Sequence, residues 1–261
     1  MDVEYIKESL TGDGPLDEVY YFNILDSTNQ YAKSIQLNDN SLVVCDYQTQ
    51  GKGRFNRIWT AEKGEDITFT IVKNFTLKVD DIQVVNFYTA FIIFLSLKRF
   101  IDDNGNELSL KWPNDVLVNG KKISGILIEI KDINKPVKKF IIGIGVNVNQ
   151  RKFPDEIKMK ATSIYQVTGS KVCREELLCE IVKNFYLNLN VLKDKTKLFD
   201  LWKQNCSYID KKILIRKFID DDEVPAVVKD IGHDGGLIVE LTGGETKTYY
   251  SGEISLSYDH G

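Results

Sequence analysis

Between Gln48 and Trp59 the chain reads Gln-Thr-Gln-Gly-Lys-Gly-Arg-Phe-Asn-Arg-Ile-Trp, two glycines and three cations in a run that ends on an indole. Glycine lets a backbone turn tightly and approach a ligand closely. Lys52, Arg54 and Arg57 supply charge for an anion, and Trp59 supplies a flat face for a ring. That is the chemistry of a nucleotide-phosphate loop, although the Walker pattern is absent and the run alone reads sooner as a solvated basic turn. Lys111-Trp-Pro-Asn-Asp115 adds a cation, an amide and a carboxylate. Taken alone it too has a plain reading, because Pro113 extends the residue before it and Asn-Asp suits a turn. Ser27-Thr-Asn29 alone is a helix cap.

These residues need elements to hold them. Val19 to Leu25 reads as a strand, and the spacing Ser27…Gln30 predicts a capping box that opens a helix running to about Ile35. Leu42–Cys45 and the alternating Ile67-Thr-Phe-Thr-Ile-Val72 are further strands. Residues 82–103 are apolar all round, as in a buried core helix. Asn119-Gly120 is a two-residue hairpin turn between Val116–Val118 and Lys121–Ile130. That register places Ser124 opposite Asp115 and Lys122 opposite Leu117, with Asp115, Lys122 and Ser124 on one face. Phe140 to Asn149 is a strand whose two glycines admit a close neighbour, and helices are expected at 174–192 and 196–205.

After Ile209 the texture changes to short strands (213–218, 226–231, 236–241 and 247–250) with turns at 220–222, 232–236 and 242–244. The expectation is an α+β chain: a mixed domain over 1–209, then a small β-barrel over 210–261 packed closely against it.

Composition sets limits. A hydrophobic fraction of 43% and a charged fraction of 28% are those of a soluble enzyme. The net charge of −4 argues against a general DNA binder, so the basic run at 52–57 implies a local anion. Met1-Asp-Val-Glu4 is not a secretory signal, and the apolar run Phe87–Leu97 is too short to span a membrane. Cys45, Cys173, Cys179 and Cys206 show no zinc spacing and read as reduced thiols of a cytoplasmic protein. His233 and His260 are the only histidines, which disfavours a Ser-His-Asp or Cys-His centre at the loop and a multi-His metal site.

Taken in order, Asp-Ser-Thr-Asn29, Gly-Lys-Gly-Arg54-x-x-Arg57-x-Trp59, Lys-Trp-Pro-Asn-Asp115, Lys122-x-x-Gly-Ile-Leu127 and Gly-x-Gly-Val-Asn-Val-Asn149 strongly resemble the biotin protein ligases. Ser251 to Ser255 resembles the closing segment of the same family's small barrel, so the likeness runs from about residue 19 to the end. The resemblance implies a class II synthetase-like catalytic domain with a mixed sheet flanked by helices, followed by an SH3-like barrel. It implies an ATP-dependent enzyme that makes biotinyl-5′-adenylate and pyrophosphate, then transfers biotin to one lysine of a carboxylase's carrier domain. Only about 18 residues precede the first matching strand, so a monofunctional ligase without the DNA-binding domain of some relatives is expected.

The resemblance also implies roles. Ser27, Thr28, Asn29 and Gln48 would hold the ureido end of biotin, and Lys52, Gly53, Arg54, Lys122 and Gly125 the rest of it. Arg54, Arg57, Trp59, Asn114, Lys122 and Asn147 would bind ATP. Lys111, Asp115, Lys122 and Arg54 would form the catalytic set, with Asp115 as a Mg²⁺ ligand and a candidate base for the incoming lysine. This inventory suits the chemistry independently: a carboxylate and a triphosphate repel, and fixed cations offset that repulsion. The carboxylate is already ionised at neutral pH, so no histidine base is needed.

Two departures stand out. Lys52 replaces an Arg usual in the family and lacks its bidentate fork. Asn56 replaces a usual Gly and, as a residue tolerant of positive φ, is expected to keep the turn. Alternatives are a lipoate–protein ligase, disfavoured because Ser-Thr-Asn followed by Gln48 suits a ureido ring, and a biotin-binding regulator without catalysis. The family's habit of pairing at sheet edges leaves a homodimer open, and no segment of the sequence identifies such an edge.

Overall fold

Strands that carry branched residues at alternate positions come together as one seven-stranded sheet in the order β1-β2-β3-β7-β6-β5-β4. The structure is a computed structural model and describes all residues except 79–80, 102–104, 217–221 and 257–261. The strands are β1 (Glu18–Phe22), β2 (Ser41–Cys45), β3 (Ile67–Phe75), β4 (Leu108–Lys111), β5 (Asp115–Val118), β6 (Lys121–Lys131) and β7 (Lys138–Val146). β1 and β2 are parallel and every other pair is antiparallel. The sheet is therefore mixed, as expected.

Its two faces differ. Phe69, Ile71, Ile126, Ile142 and Ile144 point into a large core shared with α3 (Ile82–Leu97) and α5 (Arg174–Leu187). Alternation sends Thr68, Thr70, Gly125, Leu127, Gly143 and Gly145 to the other face. Among the described residues that face carries the short α2 (Thr28–Ser34), a small cluster of Ala32, Leu37, Val43, Val72 and Ile141, and the Trp59 side chain over Gly125 and Gly145. One face builds the core, and the other is left polar and rich in glycine.

Several expectations shift at element ends. The predicted helix over 82–103 ends at Leu97; its last residues, 102–103, lie outside the described residues. The pattern over 174–192 divides into α5 and a short 3₁₀ turn over Leu189–Lys193, and 196–205 becomes α6 (Lys195–Gln204). α1 (Val3–Leu10) and α4 (Ile164–Thr168) were not anticipated.

The hairpin register also needs correction. Lys122 faces Leu117 as predicted, but Ser124 faces Val116 and not Asp115, because Ile123 is an extra residue bulged out between them. Ser124 is fully buried and donates to the Gly145 carbonyl at 2.8 Å, so it does not join Asp115 and Lys122. Bulges re-aim side chains, and this one lays Lys122 over Gly125, where a Cβ would lie 3.1 Å from Lys122 Cε.

The C-terminal strands β8 (Lys212–Arg216), β9 (Val224–Ile231), β10 (Leu237–Leu241), β11 (Thr246–Tyr249) and β12 (Glu253–Leu256) form a second, antiparallel sheet in the order β11-β10-β9-β8-β12. Parts of the predicted strand at 213–218 and turn at 220–222, and His260, lie outside the described residues. Val228, Ile231, Leu237 and Val239 join the same core as Phe87, Phe199 and Trp202. The small sheet is thus sealed to the large one by apolar contact.

Candidate active site

α2 begins as the capping pattern predicts: Ser27 accepts the Gln30 N–H at 3.4 Å. Ser27, Thr28 and Asn29, its cap and first turn, are all buried. The Thr28 N–H donates to Gln48 Oε1 at 2.7 Å, which fixes the Gln48 amide with its nitrogen as the outward donor. Asn29 is more constrained than a simple ligand contact. Its amide nitrogen donates to the Leu127 carbonyl and to Glu129, and its oxygen lies 2.7 Å from the Thr70 hydroxyl. A side chain at Gly143 would collide with it. Asn29 therefore anchors α2 to the sheet, while Thr28 and Gln48 are bonded to each other.

The loop after β2 lies over the glycine floor. Gly51 accepts the Trp59 N–H through its carbonyl, and a Cβ on Gly51 would lie 2.5 Å from the Trp59 oxygen. Gly53 donates to Arg57 O at 2.7 Å, and Lys52 pairs with Ile58, so the run is a closed, hydrogen-bonded turn. The expectation for Asn56 is corrected here: the left-handed residue is Phe55, at φ 55°. A non-glycine residue held there is uncommon and marks a locally over-determined turn. The Arg54 guanidinium lies 5.0 Å from the Phe55 ring centroid and donates to Asn114 Oδ1 at 3.1 Å. Arg57 is exposed at the foot of the turn.

Trp59 rests on the sheet. Side chains at Gly125 or Gly145 would run into its indole, and Lys122 Nζ is 5.9 Å from its ring. The absent side chains of both glycines thus make room for an aromatic plate, and at Gly125 for the Lys122 stem as well. Lys122 Nζ pairs with Asp115 Oδ1 at 2.7 Å. Asn114 donates to the Ile126 carbonyl at 2.8 Å. Asn147 donates to the Thr162 carbonyl, while its Oδ1 is buried without a hydrogen-bond partner. An orphaned buried acceptor calls for explanation, and a ligand amino group would satisfy it. Lys111 stands at the flank: its backbone pairs with Asp115, and its ammonium lies 5.6 Å from the Tyr208 ring.

A cavity of about 610 Å³ opens between α2, the loop and β6, lined by Ser27, Asn29, Lys52, Gly53, Arg54 and Phe55 among others. Lys33 and Glu129 close its far end with an ion pair of 2.6 Å. Glu129 and Thr70 belong to this site and were not singled out from the sequence. The signal for Thr70 was available, since alternation along Ile67–Val72 puts it on the face opposite Phe69. Glu129 carried no signal beyond its phase in β6. Among the described residues no group of three or more His, Cys, Asp or Glu converges as a metal cage.

With this geometry the chain can be set beside known proteins. The profile of the biotin/lipoate A/B protein ligase family matches residues 21–147, and that of the biotin protein ligase C-terminal domain matches residues 208–257. The chain belongs to the biotin protein ligase family.

Similar proteins agree. A bifunctional ligase/repressor, BirA, of Bacillus subtilis is 34% identical over 170 residues, which are 63% of this chain and 51% of that protein. The chain thus spans about half the length of this relative. The biotin--[acetyl-CoA-carboxylase] ligase of Mycobacterium tuberculosis is 24% identical over 223 residues, covering 83% of this chain and 79% of that one. Among solved structures, the Aquifex aeolicus biotin protein ligase in complex with biotin and ATP superposes with a TM-score of 0.78 at 27% identity, covering 93% of this chain and 99% of that chain. The mixed sheet flanked by helices and the small C-terminal sheet are the architecture of biotin protein ligases. No helix among the described residues is long and apolar enough to cross a membrane.

Proposed function

We propose that this protein activates biotin with ATP and transfers it to a lysine of a biotin carboxyl carrier domain. The observation that carries the reading is the pair of contacts Arg54–Asn114 and Asp115–Lys122, set beside a glycine floor under the Trp59 indole. In the first step a biotin carboxylate oxygen attacks the α-phosphorus of ATP, a P–O bond breaks, and pyrophosphate leaves. Lys122 and Arg54 face the charge that spreads over the phosphoryl oxygens, and donors fixed in advance need no reorganisation when it forms. The Asn147 oxygen would accept the adenine amino group, and Trp59 would cover the base. Ser27, Thr28, Asn29 and Gln48 would meet the ureido ring while Thr70 and Glu129 hold Asn29 in place.

In the second step the lysine amine attacks the acyl carbon of the mixed anhydride, AMP departs, and the amine's proton is released. Asp115, paired with Lys122, is the nearest named carboxylate to take that proton or steer the ammonium. Mg²⁺ enters this reading with the triphosphate, because that ion usually needs only one or two protein carboxylates beside phosphate oxygens. Asp115 is the residue that fits, and the ion would supply neutralising charge.

The catalytic domain is taken as 1–209 and the small domain as 210–261. Four unpaired cysteines support a reducing, cytoplasmic setting. If the chain pairs with a second copy through a sheet edge, β1 is the candidate, because Asn205 already bonds to the β4 edge at Leu110.

The test is incubation with ATP, Mg²⁺ and either biotin or lipoate, following pyrophosphate and label on a purified carrier domain. Pyrophosphate and label with biotin are expected. Release with lipoate alone would overturn the reading in favour of lipoate ligation, and no release with either would point to a binding protein.

A further inference from the structure

Trp112 lies in the middle of Lys111-Trp-Pro-Asn-Asp115 yet faces away from the site. It is 1% exposed, and its indole N–H donates at 3.0 Å to the carbonyl of Gly235, between β9 and β10 of the small sheet. Two residues further on is Asn114, which holds Arg54, and next to it Asp115, which holds Lys122. The turn joining β9 to β10 therefore reaches the back of the adenylation residues through a single buried hydrogen bond.

The turn itself is built to keep that carbonyl still. Gly232 and Gly236 close it with a 2.8 Å backbone bond, and Gly235 donates to Gly232 at 2.9 Å. Asp234 accepts the Gly236 N–H through Oδ1 and the Tyr250 hydroxyl through Oδ2. Gly235 sits at φ 84°, and a Cβ there would lie 2.9 Å from the Phe87 ring. Phe87 is wedged edge-on against Phe199 and Trp202, with centroids 5.0 Å away in both cases. A residue other than glycine would be strained twice over, by its backbone angle and by this aromatic wall. The strand leading into the motif is held from the same side, since Leu110 N–H donates to Asn205 O at 2.7 Å and Lys111 lies over Tyr208.

We propose that the Gly232–Gly236 turn is a clamp that positions Asn114 and Asp115 for adenylation, with Trp112 as the positioning residue that transmits it. The clamp's role in chemistry rests on the function proposed above, but its mechanical part does not. Removing the clamp should loosen the motif while leaving α2 and the ureido end of the site as they were. The chemical step should then suffer more than biotin binding, because a small misplacement of charged groups costs rate while the ligand's grip lies elsewhere.

Two full-length variants test this. Trp112→Phe deletes the donor and keeps an aromatic filler; Tyr250→Phe unlocks Asp234 from an exposed position and is a mild change for the fold. Both should show faster amide hydrogen exchange at 111–118 with unchanged exchange at 28–35. Both should also lower kcat for pyrophosphate release, by about fivefold for Trp112→Phe, a value in line with loss of one buried hydrogen bond. The biotin Kd should change much less than kcat, because Arg54 and Lys122 are only part of biotin's expected contacts. Unaltered exchange at 111–118 in Trp112→Phe would overturn the clamp whatever the protein's activity proves to be. Faster exchange spread evenly over both segments, with biotin affinity falling in step with kcat, would reduce it to general loosening. A wild-type protein that releases no pyrophosphate would refute the function, and the exchange data would still judge the clamp.

Discussion

At the scale of single residues the site is a set of cations and amides whose positions are fixed by their immediate neighbours. Lys122 is the clearest case. The bulge at Ile123 turns it onto Gly125, and Asp115 holds its ammonium at 2.7 Å. Lys122→Met should therefore cut pyrophosphate release by about a hundredfold, in the range for losing one preorganised electrostatic contact, as steady-state assays would show. A loss below about threefold would remove Lys122 from the reacting centre. Much of this was readable in the sequence because Lys122, Arg54, Asn114 and Asp115 lie in short ordered motifs. What was not readable followed from three-dimensional accidents of spacing. The bulge moves Ser124 out of the group, positive φ falls on Phe55 where Asn56 was expected to supply it, and Asn29 lines the cavity while also bonding to Leu127, Glu129 and Thr70.

At the scale of elements, the loop and the β7 end are tied together by Asp66. Its carboxylate accepts the N–H groups of Glu62 and Val148, so it links the segment after Trp59 to the residue that follows Asn147. Burial pushes its pKa up to about 6, against the effect of those hydrogen bonds. A carboxyl that binds its proton more tightly in the folded state stabilises the fold at low pH, and that contribution is lost as pH rises from about 4 to about 6. Wild-type stability relative to Asp66→Asn should thus fall across that interval in denaturant titrations at successive pH values. A flat difference would mean that burial does not raise the Asp66 pKa on folding. The elements themselves were largely legible: the Ser27 cap, the Asn119-Gly120 hairpin and the alternating β3 each follow from a local rule. α1 and α4 were missed because each is short and carries too few periodic residues to stand out, and their packing partners are remote in sequence.

At the scale of the whole molecule, the change of texture after Ile209 was visible, but the partnership of the two sheets was not. Nothing in the order of residues says that Trp112 will find Gly235, more than a hundred positions away. That contact sits against the aromatic wedge of Phe87 from α3 with Phe199 and Trp202 from α6. The three tryptophans of the chain consequently divide by environment. Trp112 and Trp202 are sealed in the core, whereas Trp59 is partly exposed over the glycine floor beside a lysine ammonium. Trp59 should therefore act as an optical gauge of occupancy. Excited at the indole band, the wild type should change intensity or emission maximum when biotin and ATP are added together, and Trp59→Phe should remove that change while retaining the blue-shifted emission of the two core indoles. A ligand-dependent signal that survives in Trp59→Phe would assign it to the core indoles. If Trp59 does carry it, binding can be followed in the unlabelled protein, in real time, before any carrier domain is supplied.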